Sequence, residues 1–257
     1  MELIDSGWDS RAWLVEGRWI DREPRRPEVA QRLLTETRLL PWLAPQLPVR
    51  VPVPHVVSLD PLRVRHELVP GTPLCSAVPG VGTHLGGFLT AQHTADVQVA
   101  VEFGVPDAAA TAAELAGVLV RMRQDVLPRL PDPLQVAGAE LLDALAGPVS
   151  EPVLVHGDLG PEHILVTEMG DCGVIDWGDA CIADPALDLA WLLYGAPAGV
   201  AREVERVYDV TPRLRARALL WHQLGPWHEV LYGLDTGRAA YVDSGLEGVC
   251  SRLTLDG

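Results

Sequence analysis

The pattern of apolar residues changes character once along the chain, near residue 70, and that change limits the fold more than any other feature. Before it the chain reads as short strands with one helix. Residues 13–15 and 19–21 read as two short strands around Glu16-Gly17-Arg18, a hairpin signal. Residues 27–43 carry Val29, Leu33, Leu34, Thr37, Leu40 and Leu43 at helical intervals, and Pro41, Pro45 and Pro48 close the stretch. Residues 49–57 and 62–68 read as strands, the first interrupted by prolines and therefore expected at an edge. Pro70-Gly71-Thr72-Pro73 reads as a loop at a joint. Beyond it, residues 83–95, 109–127 and 134–145 are helical by period. Residues 152–155 form a short apolar strand, 164–167 and 173–175 a strand pair around Gly170-Asp171, and 185–253 return to a helical pattern. These patterns predict an α+β protein with a small β-rich lobe over residues 1–70 and a larger helical lobe over residues 71–257. A cleft at such a joint is a usual seat for a small ligand.

Composition removes several classes. Of 257 residues, 48% are apolar and 21% charged, the balance of a globular protein. The longest apolar run, 189–201, is 13 residues and contains Gly195 and Pro197, too short and too broken to span a bilayer. Met1-Glu2-Leu3-Ile4-Asp5 has neither the basic nor the apolar region of a secretory signal. Cys75, Cys172, Cys181 and Cys250 make no Cys-x-x-Cys pair, so a zinc ribbon or disulfide framework is not expected. They are expected to be buried small hydrophobes in a chain that works in a reducing cytoplasm.

All 20 basic residues are arginine, so any role needing a cation falls to Arg or protonated His. The net charge of −15 is uneven: residues 1–75 hold 10 Arg and 10 acids, and residues 76–257 hold 10 Arg and 25 acids. Nucleic acid, which needs a basic footprint, is excluded as a partner. The second part would instead attract cations.

Chemistry concentrates in two stretches. Val153-Leu154-Val155 leads into His156-Gly157-Asp158, with His163 five residues after Asp158. Thirteen residues further, Val174-Ile175 leads into Asp176-Trp177-Gly178-Asp179. The intervening hairpin returns the chain on itself, so Asp158, His163 and Asp176 are expected together at the tips of apolar strands. Phosphoryl transfer needs such a set: one carboxylate to orient and deprotonate the attacking hydroxyl, and two ligands to hold Mg²⁺ against the donor phosphates.

The motif His156-Gly157-Asp158-x-x-x-x-His163, then Ile175-Asp176-Trp177-Gly178-Asp179 and Asp184-Pro185-Ala186-Leu187-Asp188-Leu189-Ala190, resembles the antibiotic phosphotransferases. These are the aminoglycoside and macrolide kinases, which share the two-lobed protein-kinase fold. The resemblance implies that Asp158 is the catalytic carboxylate and that Asp176 bridges magnesium ions. It places His163 where many relatives have Asn; the branches with His include enzymes that use GTP.

Upstream, the similarity implies that Gly7-Trp8-Asp9-Ser10 covers the nucleotide and that residues 19–26 form the third strand. Arg22, in place of the usual lysine, would clamp the phosphates and be held by Glu36, and the purine of ATP or GTP would lie against backbone near Glu67 and Val69. Residues 47–52, 69–74 and 233–237 are also family-like. The chain departs from the family in Arg22 itself, in the acids Asp21 and Glu23 beside it, and in starting almost at the first strand. Asp21 and Glu23 would weaken nucleotide binding unless they face away from Arg22, as strand neighbours do. Asp184 is expected as a helix cap and Asp188 as an anchor for the catalytic loop. Trp221, His222, Trp227, His228 and Glu229 read either as acceptor-pocket lining or as core packing.

The reading is a Mg²⁺-dependent kinase acting on a hydroxyl of a small, cationic natural product such as an antibiotic, thereby giving resistance. Three others stand beside it: a kinase of an amino alcohol or sugar, a nucleotide-binding module with weak catalysis, and a metal-dependent hydrolase built on His156, Asp158, His163 and Asp176.

Overall fold

The computed structural model describes residues 2–5 and 10–254. It opens with strands β1 (Glu2–Asp5), β2 (Ser10–Val15) and β3 (Trp19–Pro24), followed by helix α1 (Pro27–Leu43) and strands β4 (His55–Leu59) and β5 (Leu62–Glu67). The strands form an antiparallel sheet in the order β1-β2-β3-β5-β4. α1 begins where Arg26 is still extended and Pro27 supplies a preset φ at its first position. It turns Val29, Leu33, Leu39, Leu40 and Leu43 inward, and Val29 and Leu33 pack with Val64 of β5.

The larger part is helical. It contains β6 (Thr72–Pro73), α2 (Val81–His93), α3 (Val97–Glu102), α4 (Ala108–Arg121), α5 (Asp132–Leu145), β7 (Val153–Val155), β8 (Ile164–Val166), β9 (Cys172–Val174), β10 (Cys181–Ala183), α6 (Ala186–Tyr194), α7 (Ala198–Val207), α8 (Pro212–Thr236) and α9 (Ala239–Leu253). β6, β8 and β9 make one small sheet, and β7 and β10 pair antiparallel. One core gathers Leu85, Phe88 and Leu89 of α2 with Ile164, Val174, Trp177 and Leu189, directly beneath the strand tips. A second packs Met122, Leu142, Trp227, Val230 and Val249 among α5, α8 and α9.

The expected strand at 49–57 starts only at His55 and runs on to Leu59. Residues before it are drawn elsewhere: the Arg50 amide donates to Cys172 O at 3.1 Å, and Val174 N donates back to Arg50 O at 2.8 Å. That binds the segment after α1 to β9 rather than to the N-terminal sheet. The loop at 70–73 contains β6, because Thr72 and Pro73 pair with Val166 and Leu165. The helix expected over 109–127 ends at Arg121 and continues as a wider π turn, Met122–Val126. β1, α3 and β10 were not anticipated. Cys75 is exposed and only Cys172 is fully buried, which corrects the expectation for the cysteines. Among the described residues, no helix is long and apolar enough to cross a membrane.

Candidate active site

The turn after β7 is built around a buried carboxylate. Asp188 on α6 is inaccessible, and its oxygens accept from His156 N (2.8 Å), Gly157 N (3.0 Å), Gln92 Nε2 (3.0 Å) and His93 Nε2 (3.2 Å). Burial disfavours its charge, but the hydrogen bonds from His93 and from the His156 backbone outweigh that and hold its carboxyl below the usual range. The buried His156 ring donates from Nε2 to Ile175 O at 3.0 Å and receives Asp158 N on Nδ1 at 3.3 Å. This neutral tautomer is favoured by burial, which lowers the pKa of His156. His156 therefore joins the two functional stretches through their backbones and faces no reactant.

Gly157 sits at φ +88, and a Cβ there would stand 2.3 Å from Asp179 O. Only glycine combines that backbone with that approach. Gly157→Ala is expected to displace the loop, with a loss of at least about tenfold in kcat and a lowered Tm. Steady-state kinetics and thermal unfolding check it.

Three side chains then face the space between the sheet and the helical part. Asp158 is open to that space, and crowding by the surrounding loop raises its carboxyl pKa, opposed by His163. His163 Nδ1 lies 2.7 Å from the Asp158 carbonyl, which can only accept, so Nδ1 carries the proton. Nε2 lies 3.8 Å from Asp176 Oδ2, and in the neutral ring, the form that can ligate a metal, its lone pair points there. Asp176 adopts φ +63, a left-handed conformation that Asp tolerates better than most residues, and the next residue, Trp177, is locked in the core edge-on to Phe88 and His156. Burial works against the Asp176 charge, but the Arg22 guanidinium beside it overcomes that and lowers its pKa.

A bare imidazole nitrogen and a carboxylate facing one another form a donor pair that fits a cation. Among the described residues no third His, Cys, Asp or Glu converges on that point, so a cation here would complete its shell with phosphate oxygens and water, as Mg²⁺ characteristically does.

From the opposite side comes Arg22 on β3. Its Nη1 donates to Glu36 Oε2 at 2.9 Å and Oε1 at 3.2 Å, its Nη2 to Asp176 Oδ1 at 3.2 Å, and its Nε to Ser10 Oγ at 3.4 Å. The flanking acids do not approach this group. Asp21, 1% exposed, faces the other side of the sheet and takes Arg65 bidentately at 2.6 and 2.9 Å from the facing register position. Glu23 lies between Arg11 (3.7 Å) and Arg63 (3.5 Å). The expected burden of extra negative charge is thus neutralised by arginines on neighbouring strands.

Burial pushes Glu36 up to about 7, against the pull of Arg22. A raised carboxyl pKa means that the folded protein holds the proton more tightly. Glu36 therefore favours folding below its unfolded value of 4.5, and that contribution is lost as pH rises through about 7. Glu36→Gln is expected to flatten the change in unfolding free energy between those two values, measured by urea titration across pH.

Other expected residues are placed as follows. Gly7, Trp8 and Asp9 lie outside the described residues; Ser10 starts β2. Glu67 is exposed and paired to Arg18 at 2.6 Å, whereas Val69 is buried with its Cγ1 against Gly173, where the sheet meets the helical part. Asp184 caps α6 through Ala186 N at 3.0 Å and also binds Arg217 and the Trp221 indole. Trp227 and His222 are buried packing residues. His228 is exposed yet hemmed in, so that burial lowers its pKa while Asp179 opposes.

Sequence reasoning missed two parts of this site. Gln92 and His93 hold Asp188, and their signal was an adjacent polar pair at the end of a helix, following the apolar Phe88 and Leu89. Arg32 of α1 reaches Asp179 at 2.6 Å, joining α1 to the loop beside Asp158.

An antiparallel sheet carrying an Arg–Glu pair, set over a helical part with an Asp-His-Asp constellation on strand tips, defines the kinase-like class of phosphotransferases. Residues 1–221 match the model of the phosphotransferase enzyme family, and the chain belongs to that family. Among solved structures it is similar to APH(2″)-IIIa in complex with GDP and kanamycin: TM-score 0.86, 24% identity, 98% of this chain and 92% of that one covered. It is also similar to the macrolide 2′-phosphotransferase MphH from Brachybacterium faecium, at TM-score 0.75 and 25% identity over 96% and 90% of the two chains. Of curated proteins, the uncharacterized protein YcbJ of Bacillus subtilis (strain 168) is 53% identical over 36 residues, 14% of this chain. That match spans only 12% of YcbJ.

Proposed function

We propose that the protein transfers the γ-phosphoryl group of ATP or GTP to a hydroxyl of a small natural product, as an antibiotic phosphotransferase of the cytoplasm. The observation that carries this reading is the meeting of Arg22 and Glu36 with Asp158, His163 and Asp176 across one space. In it, residues 1–70 bind the nucleotide, with Ser10 and Arg22 toward the phosphates and the backbone near Glu67 and Val69 toward the purine. Residues 71–257 carry the chemistry and the acceptor. The Asp158 carboxylate orients the acceptor hydroxyl and takes its proton as the oxygen attacks. Its raised pKa brings it nearer the range in which it can accept a proton. Arg22, fixed by Glu36, offers its fork to the phosphate oxygens. Asp176 and His163 would hold Mg²⁺, which supplies charge neutralisation to the transferring group.

The acidic balance of residues 76–257 favours a cationic acceptor. Similar solved structures are complexes with kanamycin and with gentamicin, so aminoglycosides head the panel to test, followed by macrolides. Pairing of Asp21 and Glu23 with arginines removes the main argument for a module without turnover. The deciding experiment is mass spectrometry of antibiotics incubated with protein, Mg²⁺ and ATP or GTP. A gain of one phosphate on an antibiotic is expected. Phosphorylation confined to amino alcohols or sugars assigns metabolite kinase activity, and no transfer to any acceptor sinks the proposal.

A further inference from the structure

Arg22 stands where relatives were expected to have lysine, and its geometry differs in kind from that of a point charge. The guanidinium uses each of its three nitrogens on a different element: Nη1 on Glu36 of α1, Nη2 on Asp176 after β9, and Nε on Ser10 of β2. It is nearly buried, at 13% side-chain exposure, while Asp176 is 49% exposed. Among the described residues, no third His, Cys, Asp or Glu joins Asp176 and His163 here, and the other Asp176 oxygen faces His163 Nε2. The two oxygens of one carboxylate are therefore claimed by different partners. Oδ1 is held by a fixed positive charge, and Oδ2 faces the place a cation would take.

A divalent ion entering here without a nucleotide would meet a carboxylate whose charge is already neutralised. It would also stand a few ångströms from a guanidinium that has little room to withdraw, because Glu36 and Ser10 hold it. A triphosphate changes both conditions. Its oxygens give the guanidinium other acceptors, and its negative charge separates the two cations electrostatically while contributing metal ligands.

We propose that Arg22 acts as an internal cation at the metal site, holding Asp176 until a nucleoside triphosphate arrives, so that the divalent metal enters with the nucleotide and not before it. The inference rests on the phosphotransferase reading above. By linkage, nucleotide and metal then strengthen each other's binding by the same factor.

The test uses Mn²⁺ as a spectroscopic divalent probe, with free Mn²⁺ followed by electron paramagnetic resonance at pH 8, above the value of about 7 to which burial raises Glu36 in the wild type. Wild type, Arg22→Gln and Arg22→Lys are titrated without nucleotide and again with non-hydrolysable ATP and GTP analogues. Circular dichroism checks folding, and the lysine variant serves should the glutamine variant not fold. Nucleotide-free Arg22→Gln is expected to bind Mn²⁺ at least about tenfold more tightly than wild type, within the usual range of couplings between sites. Arg22→Lys, which keeps the charge and loses the fork, is expected between the two. Adding Asp176→Asn to Arg22→Gln should abolish the gain. In wild type the analogue should raise Mn²⁺ affinity by more than it does in Arg22→Gln.

Equal or weaker nucleotide-free Mn²⁺ binding by Arg22→Gln and Arg22→Lys overturns the proposal while leaving the phosphotransferase reading intact, provided an analogue still recruits Mn²⁺ to wild type. If neither analogue recruits Mn²⁺ to wild type, both fall together.

Discussion

Asp158→Ala is expected to lower kcat by about 10²–10⁴, the usual worth of a positioned general base, with the nucleotide dissociation constant nearly unchanged. The split follows from the site. Asp158 faces the cleft from the loop after β7, whereas the groups assigned to the phosphates, Arg22 and Ser10, lie on the N-terminal sheet. Removing the carboxylate leaves the Asp158 carbonyl, and with it the bond that fixes the His163 ring, in place. The loop is held through His156 and Gly157 rather than through the Asp158 side chain, so folding should be preserved. Calorimetry of nucleotide binding beside steady-state rates separates the two effects. A kcat within a few-fold of wild type would remove Asp158 from the reaction, and parallel losses of binding and rate would assign it to the nucleotide.

How much of this was legible in the sequence depends on whether a feature is local. Helix α1 was readable to its ends, because Pro27 opens it and its apolar spacing runs to Leu43. The tip cluster was also readable. Apolar strands fix the positions of their ends, and one hairpin of known direction brings His163 back beside Asp176. What escaped the sequence was pairing between distant segments. β10 is three residues whose strand character exists only because β7 lies beside it, and β6 is two residues held by β8. Nothing in the local pattern shows that Asp21 is met by Arg65, 44 positions away, and so the acids flanking Arg22 looked like a defect. The register of β3 on β5 turns that defect into a paired charge on the far face of the sheet. Asp188 was placed correctly as an anchor, but its side-chain partners on α2 follow from helix packing that no spacing encodes.

That anchor gives the largest expected effect on stability. Asp188→Ala removes the common acceptor of two backbone amides and two side chains, all in the interior. Each buried donor left without a partner costs about 1–3 kcal/mol, and removing one member of a buried polar cluster typically costs about 3–5 kcal/mol. Against a total stability of about 5–15 kcal/mol, the variant is expected to lose a large share of its folding free energy and most of its Tm margin. Asp188→Asn separates anchoring from folding. It keeps one acceptor oxygen but turns an NH₂ group toward donors, so it should fold while the His156–Asp158 turn loosens. Its kcat should drop with little change in nucleotide KM. The carboxyl of Asp188 is held below the usual range by the His93 and His156 contacts that overcome its burial, so its contribution is complete above its unfolded pKa and is lost only as pH falls through the lower folded value. The stability difference between wild type and Asp188→Asn should therefore stay constant from pH 6 to 9, where the Glu36 contribution is still changing near pH 7. Urea unfolding of both proteins across that range measures it. A difference that shrank as pH rose would mean that Asp188 is protonated in the folded protein and that neutral hydrogen bonds alone hold the loop.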